Sequence, residues 1–226
     1  MKENLVNHKM RVLIAMEIRQ FFLHQRSLHF IPLSMIGVLL VLWPYFSSPF
    51  VPVFIVLFAG LEPQFNNILF RTPLELESLS VLPLGWEKIA RAKNIAAVIL
   101  VCIVAPILAA TLMYFSPSVL TRDDVKGAAL YLSTVLLPLI HVGNLRSVQH
   151  PRRKTGWQFD DLAGSVEILI NLGVLSIPYA LFVEVLNAPA LCIPYFVASI
   201  VFWWRYSIPK TAQVIETEKI NICLTV

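Results

Sequence analysis

The sequence predicts an all-α, polytopic membrane protein with six transmembrane helices and an amino-terminal amphipathic helix in the membrane interface. Hydrophobic residues make up 57% of the 226 residues and charged residues only 14%, which is more apolar surface than a soluble chain of this length can bury. Every Lys and Arg except Arg122 and Lys126 lies in a segment on the same predicted side of the membrane. This charge bias predicts a multi-pass protein of the inner (plasma) membrane with both termini in the cytoplasm.

Residues 1–27 are predicted to form the interfacial helix. Their charged residues are interleaved with apolar ones, so the segment does not have the single apolar block of a cleavable signal peptide. The alternative is a cytoplasmic helix that packs on protein. The apolar side chains recur at helical spacing, at Met10, Ile14, Ile18, Phe21 and Phe22.

The whole chain, 1–226, is predicted to be one transmembrane domain with a cytoplasmic loop at 71–93 and a cytoplasmic tail at 205–226. In the second span only residues 50–61 are continuously apolar, which is shorter than the ~20 residues that a bilayer requires. A re-entrant loop is the alternative there, but it would place the basic amino terminus opposite the other basic loops. The predicted spans are residues 29–46, 49–70, 94–115, 127–145, 162–186 and 190–204.

The sequence contains no signature of an enzyme or a nucleotide-binding site. It has no His-Glu-x-x-His, no Gly-x-Ser-x-Gly and no phosphate-binding loop. Cys102, Cys192 and Cys223 are scattered without the spacing of a metal site, so we expect no metal and no resident cofactor. The basic residues form no continuous stripe, which argues against nucleic acid as a partner.

Polar residues inside the predicted spans are candidates for translocation or gating, because an unpaired ionisable group in a bilayer is costly. Each also has a structural interpretation: Glu167 can reach the basic loop that follows span four, and Glu62 with Asn66 shares a helix face that can form a hydrogen-bonded cluster. His141 and Asn144 lie on adjacent turns, where the loop backbone could satisfy both. The candidates are Glu62, Asn66, His141 and Glu167.

The cytoplasmic loop 71–93 carries the richest local pattern. Pro73 is placed to start a short helix and Pro83 to end it. The residues between them are leucines and glutamates, so this helix has both an apolar and an acidic character. Such an element suits insertion into a groove on a soluble partner. A second helical stretch from Gly85 leads into the third span.

This loop resembles the one between the second and third spans of the permease subunits of ABC-2 type transporters. The resemblance is carried by an acidic residue at Glu75 or Glu77, the step Leu79-Ser80-Val81-Leu82-Pro83, and the basic Lys93. The six predicted spans, the amphipathic amino terminus and the chain length also fit. The short turn at Asn187 departs from the longer amphipathic region that family members often have after span five.

The resemblance implies a membrane-spanning exporter subunit that pairs with a second permease copy or a related permease. Two separate cytoplasmic ABC ATPase subunits would bind ATP and Mg²⁺, and residues 73–82 would form the coupling helix that they push. A secondary carrier or structural membrane subunit is the alternative, and an intramembrane enzyme using Glu62 and His141 is a third. The coupling residues that the resemblance implies are Glu75, Leu76, Glu77, Leu79, Leu82 and Pro83.

Overall fold

A computed structural model describes residues 2–24, 69, 73–115, 122–149, 170–171 and 173–224. This part of the chain is helical and contains no strand, which confirms the all-α prediction for it. Shorter π-helical turns lie at Leu181–Val185 and Trp203–Ser207, and a 3-10 turn lies at Pro189–Leu191. The α-helices are α1 (Lys2–His24), α2 (Pro73–Ser80), α3 (Trp86–Phe115), α4 (Arg122–Gln149), α5 (Ile177–Ala180), α6 (Cys192–Phe202) and α7 (Ile208–Leu224).

Three helical segments in the described residues are long and apolar enough to cross a bilayer, which indicates a membrane protein. They are Trp86–Ile107, Lys126–Leu145 and Pro189–Thr217, with 22, 20 and 29 residues against the ~20 that a bilayer requires. They correspond to the predicted third, fourth and sixth spans. Of the predicted fifth span, the structure describes the shorter apolar segment Gly173–Val185 and the two residues 170–171.

The predicted first span lies outside the described residues, as does the second apart from Leu69, which is buried. The count of six spans and the placement of both termini in the cytoplasm therefore stay predictions.

The helix of the predicted sixth span does not end at Trp204. It continues through the π-helical turn into α7 and ends at Leu224, so most of the predicted tail is helical. The reason is a buried stripe with helical spacing, formed by Ile208, Thr211, Ala212 and Ile215, which packs against α3 and α4.

The π-helical turn has a local cause in the sequence. Pro209 has no backbone N–H and its ring crowds the carbonyl one turn earlier, so the regular α-helical hydrogen bond cannot form there. The N–H of Ile208 instead bonds to the carbonyl oxygen of Trp203, five residues back. Such turns insert one residue into a helix and often occur at functional sites.

The amino-terminal helix α1 packs on the protein. Leu13 is buried against the core, Met10, Ile14 and Ile18 pack against it, and α3 is the main neighbour of α1. Three of the apolar residues that predicted an interfacial stripe, Met10, Ile14 and Ile18, thus face the chain itself, as the protein-packed alternative requires. Val12 and Met16 remain exposed on the other side. Contact of this helix with lipid headgroups stays a prediction.

Ile208→Ala should destabilise the protein by about 2–5 kcal/mol, because it opens a cavity at a fully buried position between α7 and its neighbours. The free energy of unfolding of the purified full chain, measured by SDS titration in mixed micelles, checks this. Ile193→Ala is the matched control, since Ile193 is 63% exposed on the same helical unit. Equal losses for the two variants would contradict the packing of α7.

Candidate functional site

The most strongly constrained polar group in the described residues is the side chain of Lys93 on α3. Its ammonium lies 2.9 Å from a carboxylate oxygen of Glu17 on α1 and also pairs with Glu75 on α2. The Lys93 side chain is only 2% exposed. A buried ammonium is tolerated when carboxylates surround it, so this cluster holds three helices together at one point. We call Lys93, Glu17 and Glu75 the lysine cluster.

Helix α2 is amphipathic, and its apolar face is turned inwards. Leu76 is 1% exposed and Leu79 6% exposed, and both belong to the hydrophobic core together with Trp86 and Ile89 of α3. The chain's own core therefore covers Leu76 and Leu79, and the role of these two residues in coupling to a soluble partner stays a prediction. The two leucines are three residues apart, so they lie on one face of α2, and this face is the buried one.

The face of α2 that points away from the core, and the turn that follows α2, are exposed. Glu77 is exposed on α2, and Val81, Leu82 and Pro83 follow on the turn, with Val81 83% exposed. Helix α2 ends at Ser80, three residues before Pro83, and the hydroxyl of Ser80 donates a hydrogen bond to the carbonyl oxygen of Glu77. We call Val81, Leu82 and Pro83 the exposed tip. Of the predicted coupling residues, Glu77, Leu82 and Pro83 are thus accessible, whereas Glu75 belongs to the lysine cluster.

A second contact joins α3 to the π-helical turn at Trp203–Ser207. The guanidinium of Arg91 lies 4.2 Å from the ring centre of Trp204, which is a cation–π geometry. Arg91 also pairs with Glu87 one turn earlier on α3. The start of α3 is therefore tied both to α2 and to the continuous helical segment of α6, the π-helical turn and α7. We call this segment, residues 192–224, the carboxyl-terminal helical unit.

His141 lies on α4 beside a cavity of about 360 Å³. The sequence suggested that the loop backbone could satisfy His141, but its partner is the hydroxyl of Ser207 in the π-helical turn, 2.6 Å from Nδ1. The rings of His141 and Phe202 also pack at nearly a right angle, with their centres 5.4 Å apart. The cavity lies between α4 and the carboxyl-terminal helical unit, which also contact each other directly. Its wall includes Leu137, His141, Leu175, Tyr195, Phe202 and Trp203.

Several buried polar groups have no hydrogen-bond partner among the described residues. They are the Nε atom of Arg91 and both amide atoms of Asn94 on α3, both amide atoms of Asn144 on α4, and the indole nitrogen of Trp203. The two asparagines are fully buried. Trp203 also lines the cavity beside His141. The sequence shows that both asparagines lie at the ends of predicted spans. It does not show that they are buried, because their burial depends on neighbours that are distant in the chain.

Glu62, Asn66 and Glu167 lie outside the described residues, so their roles in translocation stay predictions. The same holds for the pairing of Glu62 with His141 that the enzyme alternative requires. Within the described ranges no group of three His, Cys, Asp or Glu side chains could hold a metal ion.

A scan of the chain against protein-family models and searches of curated proteins and of solved structures found no match. The functional assignment therefore depends on the chemistry of the chain's own residues.

Lys93→Met should lower the free energy of unfolding by about 3–5 kcal/mol, because it leaves the carboxylates of Glu17 and Glu75 without their buried cation. In a variant that already carries Glu17→Gln and Glu75→Gln, Lys93→Met should lower the free energy of unfolding much less. Lys88→Met, at an exposed position on the same helix, is the control and should stay within about 0.5 kcal/mol of wild type. If Lys93→Met lowers the free energy of unfolding equally in the wild-type and the double-variant background, Lys93 does not interact with Glu17 and Glu75.

Asn144→Leu should raise the free energy of unfolding by about 1–3 kcal/mol, because it removes a buried amide that has no partner among the described residues. SDS-titrated unfolding in mixed micelles measures the change. Asn7→Leu on the exposed surface of α1 is the control. If Asn144→Leu instead lowers the free energy of unfolding as much as truncation of a buried apolar side chain does, the amide of Asn144 is hydrogen-bonded in the native protein.

Proposed function

We propose that the chain is the membrane-spanning subunit of an ATP-driven exporter of the ABC-2 kind, which couples ATP hydrolysis by separate cytoplasmic ATPase subunits to substrate movement. The observation that carries the proposal is the attachment of α2 to α3 by a buried ion pair while the exposed tip points away from the core. A coupling helix needs both properties, because it must meet a partner and transmit its movement.

The attachment supports transmission of movement. Because the carboxylate of Glu75 meets the ammonium of Lys93 at a buried position, separating α2 from α3 would leave two charges in an apolar environment. Leu76 and Leu79 add apolar contacts on the same face of α2. A push on α2 therefore moves α3 with it, and α3 contacts α1, α4 and α7.

The exposed tip supports contact with a partner. Consecutive exposed apolar residues are unfavourable in water unless a partner covers them. Val81, Leu82 and Pro83 form such a run at the end of a helix, beside the acidic Glu77. This arrangement suits a groove with an apolar floor and a basic rim on the ATPase. The predicted side for this loop is the cytoplasm, where ATP is available.

The rest of the assembly follows from the resemblance and is part of the same proposal. A second permease copy or a related permease would complete the pathway, the ATPase subunits would bind ATP and Mg²⁺, and the complex would lie in the inner (plasma) membrane.

The test uses the full chain, tagged and purified in mild detergent with whatever subunits it retains. We expect a stoichiometric ATPase subunit and Mg²⁺-dependent ATP hydrolysis. Leu82→Asp should reduce the amount of bound ATPase subunit and the rate of ATP hydrolysis about tenfold or more. It places a carboxylate in the proposed apolar contact with the ATPase, at an exposed position where the fold is kept. Leu82→Met is the matched control and should retain both.

Leu79→Asp is the comparison that distinguishes loss of ATPase binding through unfolding from loss of the contact itself. Leu79 is buried, so its replacement by a carboxylate should lower the free energy of unfolding as well as remove the ATPase. A monodisperse wild-type chain without any ATPase subunit, or a Leu82→Asp variant that retains it fully, would contradict the proposal.

A secondary carrier is the second candidate function, and the cavity beside His141 is the observation that favours it. A carrier needs a substrate site between helices that can move, and this cavity lies between two candidate membrane spans. A chain that purifies without ATPase but binds ligand in the cavity would favour this candidate.

A further inference from the structure

We infer that the carboxyl-terminal helical unit carries a binding site for an anionic phospholipid, with the lipid phosphate at Arg205 and Lys210 and the acyl chains along the exposed side of α6. The occupant is a lipid of the leaflet on the predicted cytoplasmic side of the membrane. The inference goes beyond the proposed function, because it requires neither an ATPase subunit nor transport. It depends on an exposed apolar helix side, on two exposed cations at its end, and on the depth at which these cations lie.

The exposed side of α6 is suited to acyl chains. Ile193, Val197, Ile200 and Val201 are spaced three or four residues apart, so they share one side of the helix, and all four are exposed. The most apolar stretch of the segment Pro189–Thr217 is only 22% buried, against 50% and 44% in the other two candidate membrane spans. Of the three segments it is therefore the one that the chain covers least. In a membrane, lipid chains cover such a surface.

Two cations lie at the end of this apolar side. Arg205 belongs to the π-helical turn and Lys210 to the start of α7, and both are exposed. The π-helical turn inserts one residue, so a separation of five residues places them about one turn apart. Ile208 is fully buried, which puts Lys210, two residues further on, on the side of α7 opposite the core. Neither cation forms an ion pair with a described residue, so both can meet a phosphate.

The depth of the two cations matches the depth of lipid phosphates. An α-helix rises 1.5 Å per residue, so Arg205 and Lys210 lie about 24 and 32 Å along the helix from Pro189, where the candidate span begins. The hydrocarbon core of a bilayer is ~30 Å thick. The apolar side therefore ends, and the cations begin, at the level of the headgroups. Arg205 is the deeper of the two, and its long apolar stem lets the guanidinium reach that level.

Aromatic rings on both sides of Arg205 support the same depth. Trp204 and Tyr206 are its neighbours in the chain, and both are about half exposed. Tryptophan and tyrosine are enriched at the level of the headgroups, because their rings have an apolar body and a polar edge. The two cations are thus surrounded by the residue types that occur at a membrane interface.

An excess of positive charge selects an anionic lipid over a zwitterionic one. Glu216 is the first acidic residue after Lys210 and lies more than one turn beyond it. On the neighbouring α3, the charge of Arg91 is matched by that of Glu87. Two cations without acidic partners attract a headgroup with a net negative charge more strongly than one whose phosphate is balanced by its own amine. The apolar side next to them favours a lipid over a nucleic acid, which has no acyl chains.

Native mass spectrometry of the full chain in mild detergent tests the site. Phosphatidylglycerol and phosphatidylcholine with identical acyl chains are the probes, because they differ in net charge but not in apolar body. We expect phosphatidylglycerol to bind at least ~10-fold more tightly. Arg205→Gln/Lys210→Gln should raise the Kd for phosphatidylglycerol ~10- to 30-fold, since each cation near a lipid surface contributes about fivefold. The Kd for phosphatidylcholine should stay within about twofold of wild type in this variant.

Two further variants serve as controls. Arg205→Lys/Lys210→Arg keeps both charges and should retain the wild-type Kd. Arg11→Gln/Arg19→Gln removes two charges from exposed positions of α1 and should change the Kd for phosphatidylglycerol by less than about twofold. Equal losses of affinity in the two charge-removing variants would overturn the site, because the lipid would then respond only to net charge. Equal affinities of the wild-type chain for the two lipids would overturn it as well.

A phosphatidylglycerol with a photoactivatable diazirine in one acyl chain locates the apolar half of the site. We expect irradiation to label the peptides that contain residues 193–201, and Arg205→Gln/Lys210→Gln to lose this label. Glycerol 3-phosphate, which has the phosphate without acyl chains, should not compete at equal concentration. Labelling confined to other helices would overturn the site. Full competition by glycerol 3-phosphate or by a short oligonucleotide would assign the cations to a free phosphate or a nucleic acid instead, and would overturn the lipid.

Discussion

The buried ammonium of Lys93 is the constraint on which one end of the structure depends. An ammonium at this depth must be met by carboxylates, and the chain supplies Glu17 from α1 and Glu75 from α2. Meeting this requirement fixes where α1 crosses α3 and which face of α2 is turned inwards. The exposed tip is a consequence, since Val81 and Leu82 are the apolar residues left outside once Leu76 and Leu79 are packed. Electrostatics therefore decides which residues a partner can meet.

The other end of the described structure contains buried polar groups that have no hydrogen-bond partner. At the cavity, His141 bonds to Ser207, while the indole nitrogen of Trp203 has no hydrogen-bond partner among the described residues. The amide of Asn144, further along α4, has none either. Unpaired buried groups lower the stability of the arrangement that contains them. They favour any rearrangement, or any ligand, that gives them a partner. Asn94, next to Lys93 on α3, has the same property, so unpartnered buried groups occur at both ends of the described structure.

Sequence reasoning predicted the features that depend on local pattern. Long apolar runs located the third, fourth and sixth spans, and Pro73 marked the start of α2. It could not identify the partners of Lys93, because Glu17 lies 76 residues earlier in the chain and only the folded structure brings the two together. The inward turn of Leu76 was missed for the same reason: periodicity defines a face of a helix but not the neighbour that covers it. Pro209 was the overlooked local signal for the π-helical turn.

The two ends are joined by contiguous contacts. Lys93 and Arg91 lie on the same stretch of α3, and the guanidinium of Arg91 lies over the ring of Trp204. The ring of Trp204 meets that of Trp203, with centres 5.9 Å apart, and Trp203 lines the cavity. A displacement of α2 that moves α3 thus has a short physical route to the cavity wall. A chain of contacts does not by itself couple α2 to the cavity, because coupling requires an element that can adopt two arrangements. The π-helical turn is suited to be that element, because its hydrogen bonds already depart from the regular helix on either side of it.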